Sequence, residues 1–399
     1  IDDANIFFVY AKNLAQGHGF VYNVGGERVE GFTSLLWVLI CSIAFYVSDN
    51  AEFWLVVFNI LLISGSLTAL LVFTNTLFNA FSFTHQEEAP NLSTNVLILL
   101  LWIFAIPGYI YWTTLALMES GLWNALIIWG TIISVGFFRK NATMFSKRAL
   151  LLSLLIFLIL LTRPEGMLWA LLFLFITFGE CFKATDSIKR SLRLLTLPFS
   201  TYPVTILLLT LFRLWYFGYP LPNTYYAKVS PLILFHLNDG AKYFQAFVSS
   251  NPLIGIYLIL TLTVLVTNLL FVFANKTKYS FDKISERIRY IQISLIILAG
   301  ITIPIYSGGD LFQLFRFYQP IWPLLILPCY AFVMQCRKSI VFHIQNSNPF
   351  RKLKYIMLLC LFILFFMSNS ATWFNFVKSV DYEFKIAYNQ RIIGEFLNG

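Results

Sequence analysis

The sequence predicts an all-α, polytopic integral membrane protein, and two observations lead to this class. Hydrophobic residues make up 58% of the 399 positions and charged residues only 12%, whereas charged residues form about a quarter of an ordinary soluble domain. The apolar residues also come in long blocks, and blocks of roughly 18 or more residues without charge can cross the hydrocarbon core as helices. We therefore expect about ten or eleven membrane segments.

The apolar blocks define the expected domain organisation. A helical membrane domain is predicted for 32–370, preceded by a polar outer loop at 1–31 and followed at 371–399 by the start of an outer segment, and we expect further sequence at both ends. The first block is short for a span and is expected to be interfacial or re-entrant. The blocks run approximately over 32–47, 53–78, 95–112, 120–138, 149–162, 166–178, 194–217, 252–274, 290–306, 320–336 and 355–370.

The net charge of +9 is explained by membrane orientation rather than by nucleic-acid binding. Four loops between apolar blocks, at 139–148, 180–193, 275–289 and 337–354, hold 18 of the 28 Lys and Arg residues. Such loops are typical of the cytoplasmic side. Alternation of the spans then places four other segments outside, namely 113–119, 163–165, 218–251 and 307–319. Residues 1–31 share that side because the short block 32–47 is expected not to cross the membrane; if it crossed, they would lie inside.

The outer loop 1–31 opens with an acidic pair, Asp2 and Asp3, followed by apolar residues at helical spacing that include Tyr10. The plain interpretation of the pair is an N-terminal helix cap, because carboxylates accept the free N–H groups there and meet the positive end of the helix dipole. The functional interpretation is a catalytic base that takes a proton from an acceptor hydroxyl. We assign Tyr10 to substrate binding at the same site.

A metal site is the second hypothesis for this loop. Glu30 could return a carboxylate to the membrane interface near Asp3, and His18 could supply a further ligand. Oxygen ligands of this kind suit a hard divalent cation such as Mg²⁺, Mn²⁺ or Ca²⁺, which would also hold phosphate oxygens. Loop solvation is the alternative for Glu30.

Charged residues interrupt the apolar pattern at two further outer segments. Arg163 and Glu165, in the sequence TRPEG, separate two apolar blocks. Burying a charge there is costly unless the charge is paired, hydrated or functional. Asp310 and Arg316 follow a double-glycine turn after a later block. We assign Arg163, Asp310 and Arg316 to binding the phosphate of a substrate, with a neutral ion pair or a capped loop as the alternative.

The segment LPNTYYAK at 221–228 contains Tyr225, Tyr226 and Lys228. Aromatic residues at this depth usually form an interface belt. The functional alternative is that these three side chains line a sugar-phosphate cleft.

Five fragments in this order resemble one protein family: DDANIFFVYAKNLAQGHG at 2–19, GERVEGFTS at 26–34, RPEG at 163–166, LPNTYYAK at 221–228, and YSGGD with RFYQP within 306–320. The family is that of the mycobacterial terminal arabinofuranosyltransferase and its bacterial relatives, within the GT-C superfamily of polyprenyl-phosphosugar-dependent transferases. Leu117-Met118-Glu119-Ser120 loosely matches the Leu-Glu-Thr of this family. One cation expected before the Tyr-Ala of the first fragment is replaced by Val9.

The resemblance implies an inverting glycosyltransferase in the bacterial inner membrane with its active site facing the periplasm. Its catalytic base would be Asp2 or Asp3, and Glu30 best matches a metal-binding glutamate of the more distant lipid A aminoarabinose transferases. The implied partners are a polyprenyl-phosphate sugar donor, a cell-envelope glycan or glycolipid acceptor, and membrane lipids, without nucleic acid. The alternatives are a transporter or flippase of lipid-linked precursors, for which no internal repeat is seen, and a non-catalytic subunit with the same fold.

Overall fold

The computed structural model describes residues 2–79, 92–104, 106–135, 142–228, 233–250, 252–275, 281–310, 312, 314–329, 331, 374 and 377–378. These residues form helices and connecting turns, without a β-strand among them. The helices are α1 Asp2–Ala15, α2 Leu35–Val47, α3 Ala51–Asn79, α4 Leu92–Phe104, α5 Pro107–Ile110, α6 Ser120–Ser134, α7 Ala142–Thr162, α8 Gly166–Thr185, α9 Ile188–Leu194, α10 Thr196–Phe217, α11 Asn223–Lys228, α12 Ile233–Ser250, α13 Pro252–Asn275 and α14 Phe281–Tyr306.

The membrane class is confirmed in its coarse form. In the described part of the chain, five helices are long and apolar enough to cross a membrane, and they lie within α3, α8, α10, α13 and α14. A sixth candidate is bent by 106° between Gly108–Leu115 and Ser120–Ser134. The predicted block 32–47 corresponds to α2, whose 13 residues span only about 20 Å at 1.5 Å per residue and are too short to cross alone. The block 355–370 and nearly all of 371–399 lie outside the described residues.

Two tryptophans join the predicted blocks at 95–112 and 320–336. The rings of Trp102, in α4, and Trp322 are stacked with centroids 4.5 Å apart. Each indole N–H donates to the main-chain oxygen of the other residue, at 2.9 and 3.0 Å. Trp322 lies between two short 3₁₀ turns, Arg316–Ile321 and Pro323–Leu325. The two indole groups thus satisfy their buried N–H donors while they fix these turns against α4.

The segments that were predicted to share the outer side are in contact with one another. In the first group, the main-chain N–H of Asn223 donates to the main-chain oxygen of Glu30 at 3.1 Å, and the main-chain N–H of Phe20 donates to the Tyr216 hydroxyl at 2.9 Å. A second group links residues 113–119 with 163–165 and with 307–319, as described below. Trp37 connects the two groups, because its indole N–H donates to Leu117 O at 3.1 Å.

One contact joins α8 and α14 near two of the four predicted inner loops. Gln292 of α14 donates to the Glu180 carboxylate of α8 at 2.9 Å. Glu180 begins the basic loop 180–193, and Gln292 lies three residues after the end of the loop 275–289. The predicted loop 337–354 lies outside the described residues. The relative sidedness of these segments therefore agrees with the charge pattern.

Helix α12 lies directly on the last turns of α14. At Gly240 a Cβ atom would overlap the carbonyl of Ile305, so only glycine permits this approach of the two backbones. Aromatic residues of α12 pack toward the 3₁₀ turn, and the rings of Phe247 and Tyr318 are stacked 4.3 Å apart. This contact positions the segment that carries Asp310 and Arg316.

Candidate functional site

Five charged side chains meet where three chain segments, at 113–119, 163–165 and 307–319, come together on the predicted outer side. This charge cluster consists of Glu119, Arg163, Glu165, Asp310 and Arg316. Their side chains are between 2% and 19% exposed. Three carboxylates and two guanidinium groups give the cluster one excess negative charge when all are ionised.

Local sequence explains how the α7–α8 turn presents its two charges. Pro164 lacks an N–H donor and disfavours a helical residue before it, so α7 ends at Thr162. Gly166 begins α8 where a Cβ would lie 2.5 Å from Ile159 O. Arg163 is left between the two helices, and Glu165 occupies the N-cap position of α8, where the positive end of the helix dipole favours a carboxylate.

Glu119 reaches the cluster because the chain is broken there. A π-helical turn runs from Tyr111 to Leu115 and Leu117 has a positive φ of 53°, after which Glu119 occupies the N-cap position of α6. Its carboxylate lies 3.6 Å from Arg163 Nη1. Glu119 Oε2 is buried and has no hydrogen-bond partner in the described part of the chain. Sequence analysis did not assign a role to this residue.

Asp310 and Arg316 form a direct ion pair. Gly308 and Gly309 have φ values of 90° and 75°, which confirms the glycine turn predicted after this apolar block. Arg316 Nε and Nη2 donate to the two Asp310 oxygens at 2.8 and 3.3 Å. Burial raises the pKa of Asp310, and the nearby arginines oppose that rise.

Arg163 is held less tightly than Arg316. Its nitrogens lie 3.6 Å from Glu119 and 3.4 Å from Glu165, beyond the usual 2.7–2.9 Å of a charge-assisted hydrogen bond. The guanidinium group lies 4.5 Å from the centre of the Phe317 ring. Burial alone lowers the pKa of Arg163, but three neighbouring carboxylates more than offset this effect and raise it.

Arg163 lines a small cleft that is half open to its surroundings. Glu165 and the indoles of Trp123 and Trp169 contribute to the same wall. The remaining lining residues are Gly300, Ile303, Pro304, Ser307, Phe317, Pro320 and Ile321. The pocket therefore combines a cation, a carboxylate and aromatic faces.

A second buried ion pair, between Glu30 and Arg213, is separate from this pocket, because neither residue lines it. Arg213 of α10 donates to both oxygens of Glu30, with distances of 2.9 to 3.1 Å. Burial raises the pKa of Glu30, and its interaction with Arg213 opposes the rise. Tyr10 holds the adjacent backbone, because its hydroxyl donates to Val29 O at 2.6 Å and accepts from Gly31 N at 3.0 Å. The pair and Tyr10 together fasten the outer loop to α10.

The predicted metal ligands do not fit a cation site. Within the described ranges, no three His, Cys, Asp or Glu side chains come close enough to share an ion. Glu30 is bound on both oxygens by Arg213, which leaves little capacity for a cation, and His18 is exposed. Asp3 lies in the first turn of α1 and is half-buried. We therefore derive no step through a metal.

The other predicted site residues are distributed as follows. Asp2 is the first residue of α1, and its side chain lies outside the described residues. Tyr225 and Tyr226 are exposed and contact each other at 5.6 Å between ring centroids. Lys228 ends α11, and its side chain also lies outside the description. The structure brings together Arg163, Asp310 and Arg316.

The residues that sequence analysis missed are Glu119, Trp123 and Trp169. The loose Leu-Glu-Thr match at 117–120 was the available signal for Glu119, whereas the two tryptophans look like ordinary span residues. No protein-family model, curated protein or solved structure matches the chain, so the charge cluster and its pocket are the basis on which a function is assigned.

Proposed function

We propose that this protein is a membrane glycosyltransferase that transfers a sugar from a polyprenyl-phosphate donor to a cell-envelope glycan or glycolipid. The observation that carries the proposal is that Arg163 is buried but only loosely paired with carboxylates. Among the described residues three arginines are buried, and two of them are held by direct carboxylate hydrogen bonds. Arg163 has only looser ion pairs and faces a pocket, so it is the guanidinium group best placed for an anionic ligand.

The chemistry of the pocket fits a sugar phosphate. A guanidinium group binds phosphate oxygens with paired hydrogen bonds, which is why arginine is favoured in phosphate recognition. Trp123 and Trp169 are buried and form an apolar wall beside Arg163. The five sequence fragments that resemble the GT-C transferases add support, since RPEG at 163–166 is one of them.

The proposed reaction is an inverting displacement on the outer, periplasmic side of the bacterial inner membrane. Asp2 or Asp3 accepts the proton of an acceptor hydroxyl while the hydroxyl oxygen attacks the anomeric carbon. The bond between that carbon and the phosphate oxygen breaks, and its electron pair remains on the polyprenyl phosphate. Arg163 would stabilise the negative charge that develops on this leaving group.

Glu165 would compete with the donor for Arg163. The charge cluster already carries excess negative charge, so an incoming phosphate must displace or outweigh a carboxylate. Glu165 is the most exposed of the three acids, at 19% for its side chain, and it lines the pocket. We expect Glu165→Gln to strengthen the binding of decaprenyl phosphate and Arg163→Gln to weaken it.

The test uses purified protein in lipid nanodiscs and measures both decaprenyl phosphate binding and sugar transfer from a panel of decaprenyl-phosphate sugars. Arg163→Gln should weaken binding by about tenfold to a hundredfold, the equivalent of losing a hydrogen bond between charged groups. Arg28→Gln is the matched control, because Arg28 is exposed and stacks on Tyr216 at 4.7 Å.

A second variant separates binding from folding. Arg163→Gln combined with Glu119→Gln removes one charge of each sign and avoids an unpaired buried carboxylate. If this variant binds decaprenyl phosphate as the parent does, Arg163 is not the phosphate site. If the parent binds the donor and moves it intact across vesicle membranes without transferring sugar, the transporter alternative replaces the transferase.

A further inference from the structure

Helix α9 connects two candidate spans over a very short distance. The spans cover Gly166–Thr185 and Thr196–Phe217, so only residues 186–195 lie between them. Both spans must leave the hydrocarbon on the same side, and ten residues do not allow the connection to move far from it. α9, at Ile188–Leu194, therefore lies at a membrane surface.

One side of α9 is fixed to the protein. Ser187 caps the helix by accepting from Arg190 N–H. The Ser191 hydroxyl is buried, donates to Ser187 O at 2.9 Å and lies 2.8 Å from the Thr185 hydroxyl. Leu195, four residues after Ser191, is also buried. These contacts fix the rotation of the helix about its axis.

The rest of α9 presents an apolar strip beside a basic strip. Ile188 and Leu192 are four residues apart, and their exposed fractions are 59% and 46%. At 100° per residue, Lys189 and Arg193 form the neighbouring strip, and both are exposed. Arg190 follows on the far side and is exposed as well. This arrangement is typical of helices that lie in a membrane interface.

We propose that α9 is a binding surface for the phosphate groups of anionic phospholipids. Ile188 and Leu192 would enter the acyl boundary, which places Lys189 and Arg193 at headgroup depth on flexible stems. The helix carries no acid of its own. Of the nearby acids, Glu180 accepts a hydrogen bond from Gln292, and Asp186 is exposed at the C-cap of α8. The basic strip therefore remains available, whether or not the chain transfers sugar.

The experiment titrates the purified full-length chain in detergent with phosphatidylglycerol and, separately, with phosphatidylcholine, and counts bound lipids by native mass spectrometry. The parent protein should prefer phosphatidylglycerol. Lys189→Gln/Arg193→Gln should reduce that preference by on the order of tenfold or more, because each basic residue near an anionic surface contributes about fivefold.

The matched control is Arg28→Gln/Lys242→Gln, which removes one Arg and one Lys from exposed positions elsewhere. It has the same net charge as the test variant and should keep the preference. The proposal is overturned if the parent shows no preference, if the α9 variant keeps it, or if the control loses it equally, since net charge would then be the cause. Equal unfolding temperatures of the two variants exclude a folding defect.

Discussion

Replacing Arg213 by Met while Glu30 stays in place should destabilise the protein by about 3–5 kcal/mol, the usual cost of leaving one member of a buried ion pair without its partner. The structure favours a value in this range. The side chains are 11% and 3% exposed, and three hydrogen bonds of 2.9 to 3.1 Å are lost together. Arg213 also lies inside a candidate span, where water is scarce.

The double variant Arg213→Met/Glu30→Met should recover most of this loss, because two apolar side chains of similar volume can replace a buried pair at little net cost. The exposed pair of Lys242 and Asp239, at 66% and 61% side-chain exposure, is the control. Lys242→Met should change the free energy of unfolding by less than about 1 kcal/mol.

Buried cysteines provide the assay. Cys41, Cys181 and Cys329 are free and buried. With Cys336 and Cys360, which lie outside the described residues, replaced by Ser in every variant, a short pulse of a fluorogenic thiol reagent reports the unfolded fraction across a denaturant titration in detergent. Equal destabilisation of the single and double variants would refute the reasoning, because the cost would then not come from an unpaired Glu30. A stabilising shift by Mg²⁺, Mn²⁺ or Ca²⁺ that disappears in Glu30→Gln would also refute it and would restore the metal hypothesis.

Three further predictions concern the outer face. Asp2→Asn or Asp3→Asn should lower sugar transfer about a hundredfold or more with little change in stability, because Asn still caps a helix but is no base near neutral pH. If both variants transferred sugar at the parental rate, the acidic pair would have a structural role only. Arg316→Ala/Asp310→Ala should be more stable than Arg316→Ala alone, and unchanged dependence of transfer on donor concentration in the double variant would reject a phosphate role for Arg316. Tyr22→Cys should react with a membrane-impermeant thiol reagent in intact cells, and reaction only after lysis would contradict the outer position of residues 1–31.

The helical membrane class could be predicted from sequence because it depends on local features. Apolar blocks are read directly from the chain, and among the described residues the predicted blocks up to residue 306 fall largely on helices. Clusters of Lys and Arg mark one side of the membrane. Two contacts between distant segments, Asn223 with Glu30 and Gln292 with Glu180, are compatible with the sides expected from that pattern.

The partners of the charged residues could not be predicted because they depend on tertiary structure. Glu30 and Arg213 are 183 positions apart, and an acid near a membrane interface could equally be a metal ligand, a base or half of an ion pair. Only the packing of the outer loop against α10 decides between these roles. Trp123 and Trp169 were overlooked for the same reason, since a pocket wall made by two spans leaves no local pattern.

The contact at Gly240 has a mechanical consequence for the pocket. The backbone of α12 at Gly240 lies directly on the Ile305 carbonyl, with no side chain between them that could adjust if the helices moved past each other. Three pocket residues, Ile303, Pro304 and Ser307, belong to this same stretch at the end of α14. A displacement of α12 should therefore pull that wall with it as one rigid piece. Access to Arg163 would then depend on the position of α12, a helix outside the candidate spans. A ligand that holds α12 in place would also hold this wall of the pocket in place.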